Sequence, residues 1–415
     1  MFDIDKWQEI WYTIKKHKLR TMLTAFGVFW GIFMLVLLLG AGSGLENGVL
    51  QMFSGMAKNT IYIWSEETSM PHNGTPEGRK IQLTNEDYTS LKRELKDLQH
   101  LAPNLQHGDA TFSYGGQHHT FQLKGAHPDL LGLKPLVVTQ GRFMHILDYN
   151  QAKKVAVIGK RVRDLLFGAK DPVGRYIKID DIFFQVVGVF DTEGTGSDQR
   201  AYAESVYIPV TTMQKSMGYQ TRIAEFTLSP VEGVSSDEME ATVRAFLSAR
   251  HNIHPKDQTA LGSLNTGAEK KKFTSLFAGI RFFVWLVGIG TIIAGIVGVS
   301  NIMLIIVKER TREIGVRKAL GATSPSIIGL IIMESIIITG FSGYLGLVAG
   351  VGLVEGISYM LEVYNLRSEF FANPEININV ALSALAVLIA SGALAGFVPA
   401  MNAAKIQPIE ALRTE

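Results

Sequence analysis

Four long runs of this chain carry almost no charge, and they decide what it can fold into. Residues 21–45, 282–307 and 376–404 contain no Asp, Glu, Lys or Arg, and 319–354 is interrupted only by Glu334. About 20 apolar residues in a helix cross the ~30 Å hydrocarbon layer of a bilayer. Each run reaches that length, whereas helices in soluble cores seldom stay uncharged so far. The sequence therefore predicts an α-helical membrane protein with transmembrane helices over 19–45, 276–307, 324–360 and 377–400. The first run is longer than a secretory h-region of about 7–15 residues, and "GAGSGLENG" continues it like a helix end. It reads as an uncleaved anchor.

Lys and Arg set the expected orientation. "KKHKLR" abuts the first span, Lys308, Arg310, Arg312, Arg317 and Lys318 crowd the connection between spans two and three, and Lys405 and Arg413 lie in the tail. The connection between spans three and four, 361–376, holds one basic residue, Arg367. Both termini and the 308–323 segment are expected in the cytoplasm of a bacterial inner membrane protein, with 46–275 outside. Ahead of the first span, Trp7, Ile10, Trp11 and Ile14 share one helical face. That pattern predicts an amphipathic helix over 1–18, its indoles lying in the lipid interface.

The external segment reads as a large mixed α/β domain. "NTIYIWS", "FFQVVGVF" and "SVYIPVT" are strand-like, and "KKVAVIGKRVRDLLFG" reads as a strand, a glycine turn and a helix closed by Gly168. "LTNEDYTSLKREL" predicts a helix capped at Thr84 or Asn85, and "SSDEMEATVRAFLSARH" predicts another. Segments 65–80 and 191–200, rich in Gly, Ser, Thr and Pro, are expected to be loosely held.

Little supports catalysis. The chain contains no GxxxxGK[ST] phosphate loop, no HExxH and no GxSxG, and the adjacent His118 and His119 are poorly spaced as paired ligands. It has no cysteine, which excludes disulfides and thiolate metal sites, and a net charge of +2 gives no reason to expect a nucleic-acid partner. Glu334, the one carboxylate within a span, would lie ~14 Å along a helix starting near Pro325. Such groups are costly in lipid and face protein or water. Glu334 either pairs with a cytoplasmic-side arginine or makes a structural hydrogen bond between helices.

Small residues recur at helical spacing inside the spans: Gly27 and Gly31; Gly290, Ala294 and Gly298; Ser342, Gly346 and Gly350; Gly392 and Gly396. This spacing lets helices approach closely. It fits packing within one chain and pairing of two chains equally well.

Between spans two and three stands "KERTREIGVRKALGATSPSI", residues 308–327. Glu313 precedes Arg317 by four and Glu309 precedes Arg312 by three, both helical pair spacings. Ile314, Val316 and Ala319–Leu320 give a short apolar side. Gly321 suits a helix end, and Ser324 with Pro325 suits the next helix start. Span two should thus continue as a charged helical elbow that stops at Gly321. A basic anchor on lipid headgroups would account for the basic residues alone. The alternating Glu and Arg point instead to a protein partner in the cytosol.

"VKERTREIGVRKALGAT", followed by an apolar helix with an early Glu and repeated Gly, resembles the signature of the MacB/FtsX permease superfamily. "LRTMLTAFGVFWGIFMLVLLLGAGSG" is similar to that family's first span. "KKVAVIGKRVRDLLFGAKDPVGRYIKIDDIFFQVVGVF" and "ESVYIPVTTMQ" are similar to its MacB-type extracytoplasmic core domain, and "VPAMNAAKIQPIEALRTE" to its C-terminal signature. The resemblance implies a permease subunit of an ABC transporter, not an enzyme, in which ATP-driven motion is transmitted through the helices to the external domain. It implies that an ABC ATPase binding ATP and Mg docks on the elbow at Glu309, Arg310, Arg312, Glu313, Arg317 and Lys318, with Gly315 and Gly321 setting close approach and helix ending. MacB carries its ATPase in the same chain, whereas this chain starts at the interfacial helix, so a separate ATPase subunit is expected. The permease would be a homodimer or half of a heterodimer. Export with a periplasmic adaptor and outer-membrane channel is the leading expectation. Lipoprotein release of the LolCE type, or an FtsX-like role in activating a cell-wall hydrolase, are the alternatives.

Overall fold

The computed structural model describes residues 18–54, 59–192, 197–364, 371–374 and 378–408. They fall into two compact units, one built from 49–274 and the other from residues up to 48 and from 275 onward. Trp7, Ile10, Trp11 and Ile14 of the expected interfacial helix lie outside the described residues, as do Arg367 and Arg413.

Among the described residues the chain begins with α1 (Lys18–Ser54), β1 (Ile61–Ser65), β2 (Leu83–Thr84), α2 (Asn85–Glu94), β3 (Leu98–Tyr114), β4 (Gln117–Ala126) and α3 (Leu130–Leu133). It continues with β5 (Leu136–Gly141), α4 (Ile146–Asn150), β6 (Val155–Gly159), α5 (Lys160–Phe167), β7 (Tyr176–Ile179), β8 (Ile182–Thr192), α6 (Ser197–Ala203), β9 (Ser205–Pro209) and α7 (Val210–Ser216). β10 (Arg222–Ile223), β11 (Glu225–Pro230), α8 (Ser236–Arg250) and β12 (Leu261–Asn265) complete the α/β unit. The chain then forms α9 (Thr266–Glu309), α10 (Thr311–Ala319), α11 (Ser324–Val363) and α12 (Ile378–Ala404).

In α1, α9, α11 and α12 the membrane unit has four helices long and apolar enough to cross a bilayer. Each outlasts the run expected for it: α1 continues past 45 to Ser54, α9 starts at Thr266 rather than 276, α11 ends at Val363 and α12 at Ala404. Charge marks where a span must leave lipid, but the backbone ladder runs on through polar helix formers.

The glycine spacings separate into two groups. A Cβ on Gly346 would stand 2.5 Å from the Phe29 carbonyl oxygen, and one on Gly350 2.8 Å from Val36, so α11 approaches α1 as only glycine allows. Gly392 and Gly396 likewise bring α12 onto Thr339 and Ser335 of α11. By contrast a Cβ on Gly27, Gly290 or Gly298 would meet nothing within 4 Å beyond its own helix among the described residues, and one on Gly31 only an ordinary contact with Thr291 at 3.6 Å. Ala294 is exposed.

The α/β unit is organised by one ten-stranded sheet, ordered β12-β1-β11-β3-β4-β9-β6-β8-β5, with β7 paired to both β3 and β8. The β4–β9 and β6–β8 pairs are parallel. Strand alternation sends Ile61, Ile63, Phe226 and Leu228 into a core with Leu91 of α2 and Val243 and Leu247 of α8. Further along, Phe112, Leu123, Ile158 and Val206 meet Val162 of α5 and Met213 of α7 in a second core. β3 serves both: its first half pairs with β11 and its second with β4, and a register shift separates Gln106 from Gly108, which has φ +92°. A third cluster joins Ala102, Ala126, Val157, Phe190 and Tyr207 to Leu130 and Leu133 of α3. Residues alternating with the first two cores therefore supply this opposite side of the sheet.

Local chemistry fixes the ends. Thr84 caps α2, its N–H donating to Asp87 Oδ2 at 2.8 Å, and Gly168 closes α5 with φ +57°. The 66–80 segment is held more firmly than its composition suggests. Asp257 accepts hydrogen bonds from the Ser69 N–H (2.7 Å) and hydroxyl (2.9 Å) and from the Met70 N–H (3.2 Å), while Arg79 donates to the His251 carbonyl at 2.6 Å.

Candidate functional site

The elbow begins at a helix interruption. α9 stops at Glu309, Arg310 turns to φ −93° and ψ 11°, and α10 restarts at Thr311. The expectation was a helical elbow continuing span two to Gly321, with no break located within it. At the break the Thr311 hydroxyl donates back to the carbonyls of Lys308 (2.7 Å) and Val307 (3.2 Å). Thr291 makes the same pair of bonds within unbroken α9, so this back-bonding loosens the turn but does not alone interrupt it. The far end is a Schellman closure: the Gly321 N–H donates to the Lys318 carbonyl and the Ala322 N–H to the Arg317 carbonyl, each at 3.0 Å. Gly321 has φ +98°, a conformation that glycine adopts without a Cβ penalty. Thr323, not Ser324, is the cap of α11, and Pro325 sits in its first turn.

The inner side of the elbow is held by charge. Arg310 binds Glu313 through two nitrogens, each at 3.0 Å, and turns its third toward Glu334 Oε2 at 3.5 Å. Arg317 joins at 2.8 Å from Glu313. The Glu313 and Arg317 end of this chain of charges is open, at 45% and 36% side-chain exposure, whereas Arg310 falls to 18% and Glu334 to 2%. The two spacings on α10 are the i,i+3 and i,i+4 relations that put side chains on one helix face. Lys318 donates to the carbonyls of Ala404 (2.5 Å) and Ile406 (3.0 Å), which places a cation at the C-terminal end of α12. Ile314 is buried against Met303, Ile306, Ile327 and Ala403, and Gly315 is buried beside it.

The outer side is open. Glu309, Arg312, Val316, Ala319 and Leu320 are exposed, with Leu320 at 84% and Val316 at 40%. Arg312, Val316 and Leu320 recur every four residues and so line one stripe. The expected single apolar side is thus divided: Ile314 points inward, and Val316 and Leu320 point outward. The bland lettering of α10 hides this, because three apolar residues within seven positions straddle the helix rather than one face. Four of the charged residues expected to meet a partner, Arg310, Glu313, Arg317 and Lys318, also make contacts within the chain, Glu313 and Arg317 while still partly exposed.

Among the described residues no group of three or more His, Asp or Glu side chains is arranged to hold a metal ion. His118 shares a hydrogen bond with Ser113 on an exposed strand end. A further polar grouping, around Lys124 and Lys134 of the α/β unit, escaped the sequence reading entirely. Lys124 alternates with buried residues in "FQLKGA", which is the only signal it leaves.

Residues 21–246 match the MacB-like periplasmic core domain model, and residues 267–408 match the FtsX-like permease C-terminal model. The chain is similar to the macrolide export ATP-binding/permease protein MacB of Bdellovibrio bacteriovorus, with 26% identity over 404 residues, 97% of this chain and 60% of that protein. It is 29% identical over 415 residues to the pyoverdine export ATP-binding/permease protein PvdT of Pseudomonas syringae pv. syringae, covering 99% of this chain and 58% of that one. The chain thus spans about three fifths of the length of the curated relatives it matches. Among solved structures it is similar to the periplasmic region of MacB from Actinobacillus actinomycetemcomitans, at TM-score 0.45 and 21% identity over 55% of this chain and 97% of that one.

Proposed function

Because the chain belongs to the MacB/FtsX family of ABC transporter permeases, we propose that it converts the motion of an ATPase lying outside these 415 residues into movement of its α/β unit, exporting a substrate across the cell envelope. It is a multi-pass membrane protein whose four spans carry the motion. In this reading the elbow and both ends face the cytoplasm, where the basic residues concentrate, and residues 49–274 lie outside. ATP and Mg are bound by the ATPase. A second permease copy or a homologous permease completes the transporter, and an adaptor with an outer-membrane channel receives the substrate.

One observation carries the reading. The elbow is fastened on its inner side through Arg310, Glu334 and Lys318, yet leaves Arg312, Val316 and Leu320 exposed in one stripe. A rigidly mounted helix with an amphipathic outer face suits the reception of force from a docked protein. Apolar Val316 and Leu320 give contact area, and Arg312 gives orientation. The test is co-expression with the candidate ATPase, followed by co-purification and measurement of ATP hydrolysis. Arg312→Glu combined with Leu320→Glu should abolish capture and the stimulation of hydrolysis while membrane insertion persists. Undiminished capture and stimulation by that double variant would overturn the assignment.

A further inference from the structure

On the sheet side opposite the two helix-packed cores, polar residues line up across adjacent strands. Tyr62 of β1 stands opposite Thr227 of β11, Glu225 opposite Asn104 of β3, and Lys124 of β4 beside Tyr207 of β9. Lys134, just after α3, reaches over the same side. Its ammonium lies 5.9 Å from the Tyr62 ring centre and 5.3 Å from that of Tyr202, while the Lys124 ammonium lies 5.7 Å from Tyr202. Two cations therefore converge on one aromatic ring.

Like charges brought together in a half-buried place need a counter-charge. Among the described residues neither lysine has a hydrogen bond or an ion pair; the ring faces lie beside them, and Glu225 acts on both only through space. Glu225, the acid within range of both, is turned toward its own side by Asn104 and the Thr227 hydroxyl, which donate to Oε1 at 3.2 Å each. Burial, and then the neighbouring Lys134, bring the Lys124 ammonium down to about 8, and burial lowers Lys134 as well, so an anion beside them is what keeps both charged. Tyr207 adds a separate sign. It is 1% exposed, its hydroxyl has no hydrogen-bond partner, and Tyr202, Tyr62 and Glu225 lie within electrostatic range. Buried hydroxyls are ordinarily satisfied.

We propose that this patch is a binding site for an organic carboxylate, bridged by the ammonium groups of Lys124 and Lys134 and flanked by the rings of Tyr62 and Tyr202. Two ammonium groups and one carboxylate leave a single positive charge, which a monoanion balances and a phosphate dianion overshoots. The two oxygens of a carboxylate can each accept from one ammonium, forming charge-assisted hydrogen bonds. The partly exposed rings of Tyr62 and Tyr202 give the patch apolar walls and favour a ligand with an apolar body. The proposal concerns binding alone and stands whether or not the elbow receives an ATPase.

The experiment uses the full chain in detergent, a limiting dose of an amine-acetylating reagent at neutral pH, and peptide mass spectrometry. Benzoate should protect Lys124 and Lys134 while exposed Lys96 continues to react, and the neutral isostere benzamide should protect neither. Lys134→Met should keep the melting midpoint but weaken benzoate protection of Lys124 about tenfold, the scale of one charge-assisted hydrogen bond. Equal protection by benzamide, protection by inorganic phosphate but not benzoate, or unchanged benzoate protection in Lys134→Met would each overturn the proposal.

Discussion

Two buried carboxylates, one in each unit, are stabilised in opposite ways. Asp257 of the α/β unit, 6% exposed, accepts six hydrogen bonds from the backbone and hydroxyls of Ser69, Met70, Thr259 and Ala260. Its donors are neutral: three are local, from Thr259 and Ala260, and three come from Ser69 and Met70 far along the chain. Glu334 of the membrane unit, 2% exposed, meets a guanidinium from Arg310, a residue in a different element at a helix break. An acid held by backbone dipoles is a fixed pin. One held by a distant cation reports where that cation is. The contrast separates a carboxylate that builds a loop from one that ties the elbow to a span.

The largest effect should come from breaking the charged tie. Arg310→Ala strands Glu334 in an apolar surrounding and should cost about 3 kcal/mol, the usual scale for removing one partner of a buried pair. A lowered unfolding midpoint of the full chain in detergent would register it. Glu334→Gln, which removes the charge but not the bulk, should restore much of that loss in the double variant. Additive losses would show that the two residues do not act on each other.

Asp257→Ala should cost about 2 kcal/mol by leaving buried donors unsatisfied, with faster proteolysis within 66–80 as its local signature. Acid titration sharpens the same point. Burial alone would raise the Asp257 carboxyl, but the donors of Thr259 and Ser69 outweigh it and hold it well below the usual carboxylate range. The folded state therefore binds this proton less readily than the unfolded chain. The stabilisation is complete above the unfolded value of about 4 and is lost as pH falls below it. Asp257→Asn should flatten the acid decline of the unfolding midpoint, and an unchanged slope would show that other carboxylates govern it.

Gly321→Ala should cost about 1 kcal/mol, because φ +98° strains any residue with a Cβ even though space is free there. Last comes the exposed end of the charge chain. Arg317→Ala should change the unfolding midpoint by less than about 0.5 kcal/mol equivalent, as exposed i,i+4 pairs do. A large loss there would make the whole network, rather than its buried end, the tie.

The membrane helices were legible because a missing charge over twenty-odd residues is a local signal, readable one residue at a time. Glu334 stood out for the same reason. The break at Arg310 was not legible: "VKERTREI" is built of good helix formers and holds no Gly or Pro to mark a stop. Strands such as Val155–Gly159 announced themselves, but their order did not. The return of β12 to lie beside β1 joins residues some two hundred positions apart and leaves no local pattern. Asp257 in "HPKDQT" reads as an ordinary loop acid, since its partners at Ser69 and Met70 are equally remote. The lysine pair at 124 and 134 was hidden because each lysine alone looks like a solvated side chain.

The seventeen-residue β3 has a mechanical meaning. It is the one strand laced to β11 along its first half and to β4 along its second, so it splints the two lobes of the sheet. Tension between those lobes loads a single backbone. The splint has one scored line, at the Gln106–Gly108 bulge, where the ladder skips a residue and the backbone is already turned. If this sheet flexes, it creases there.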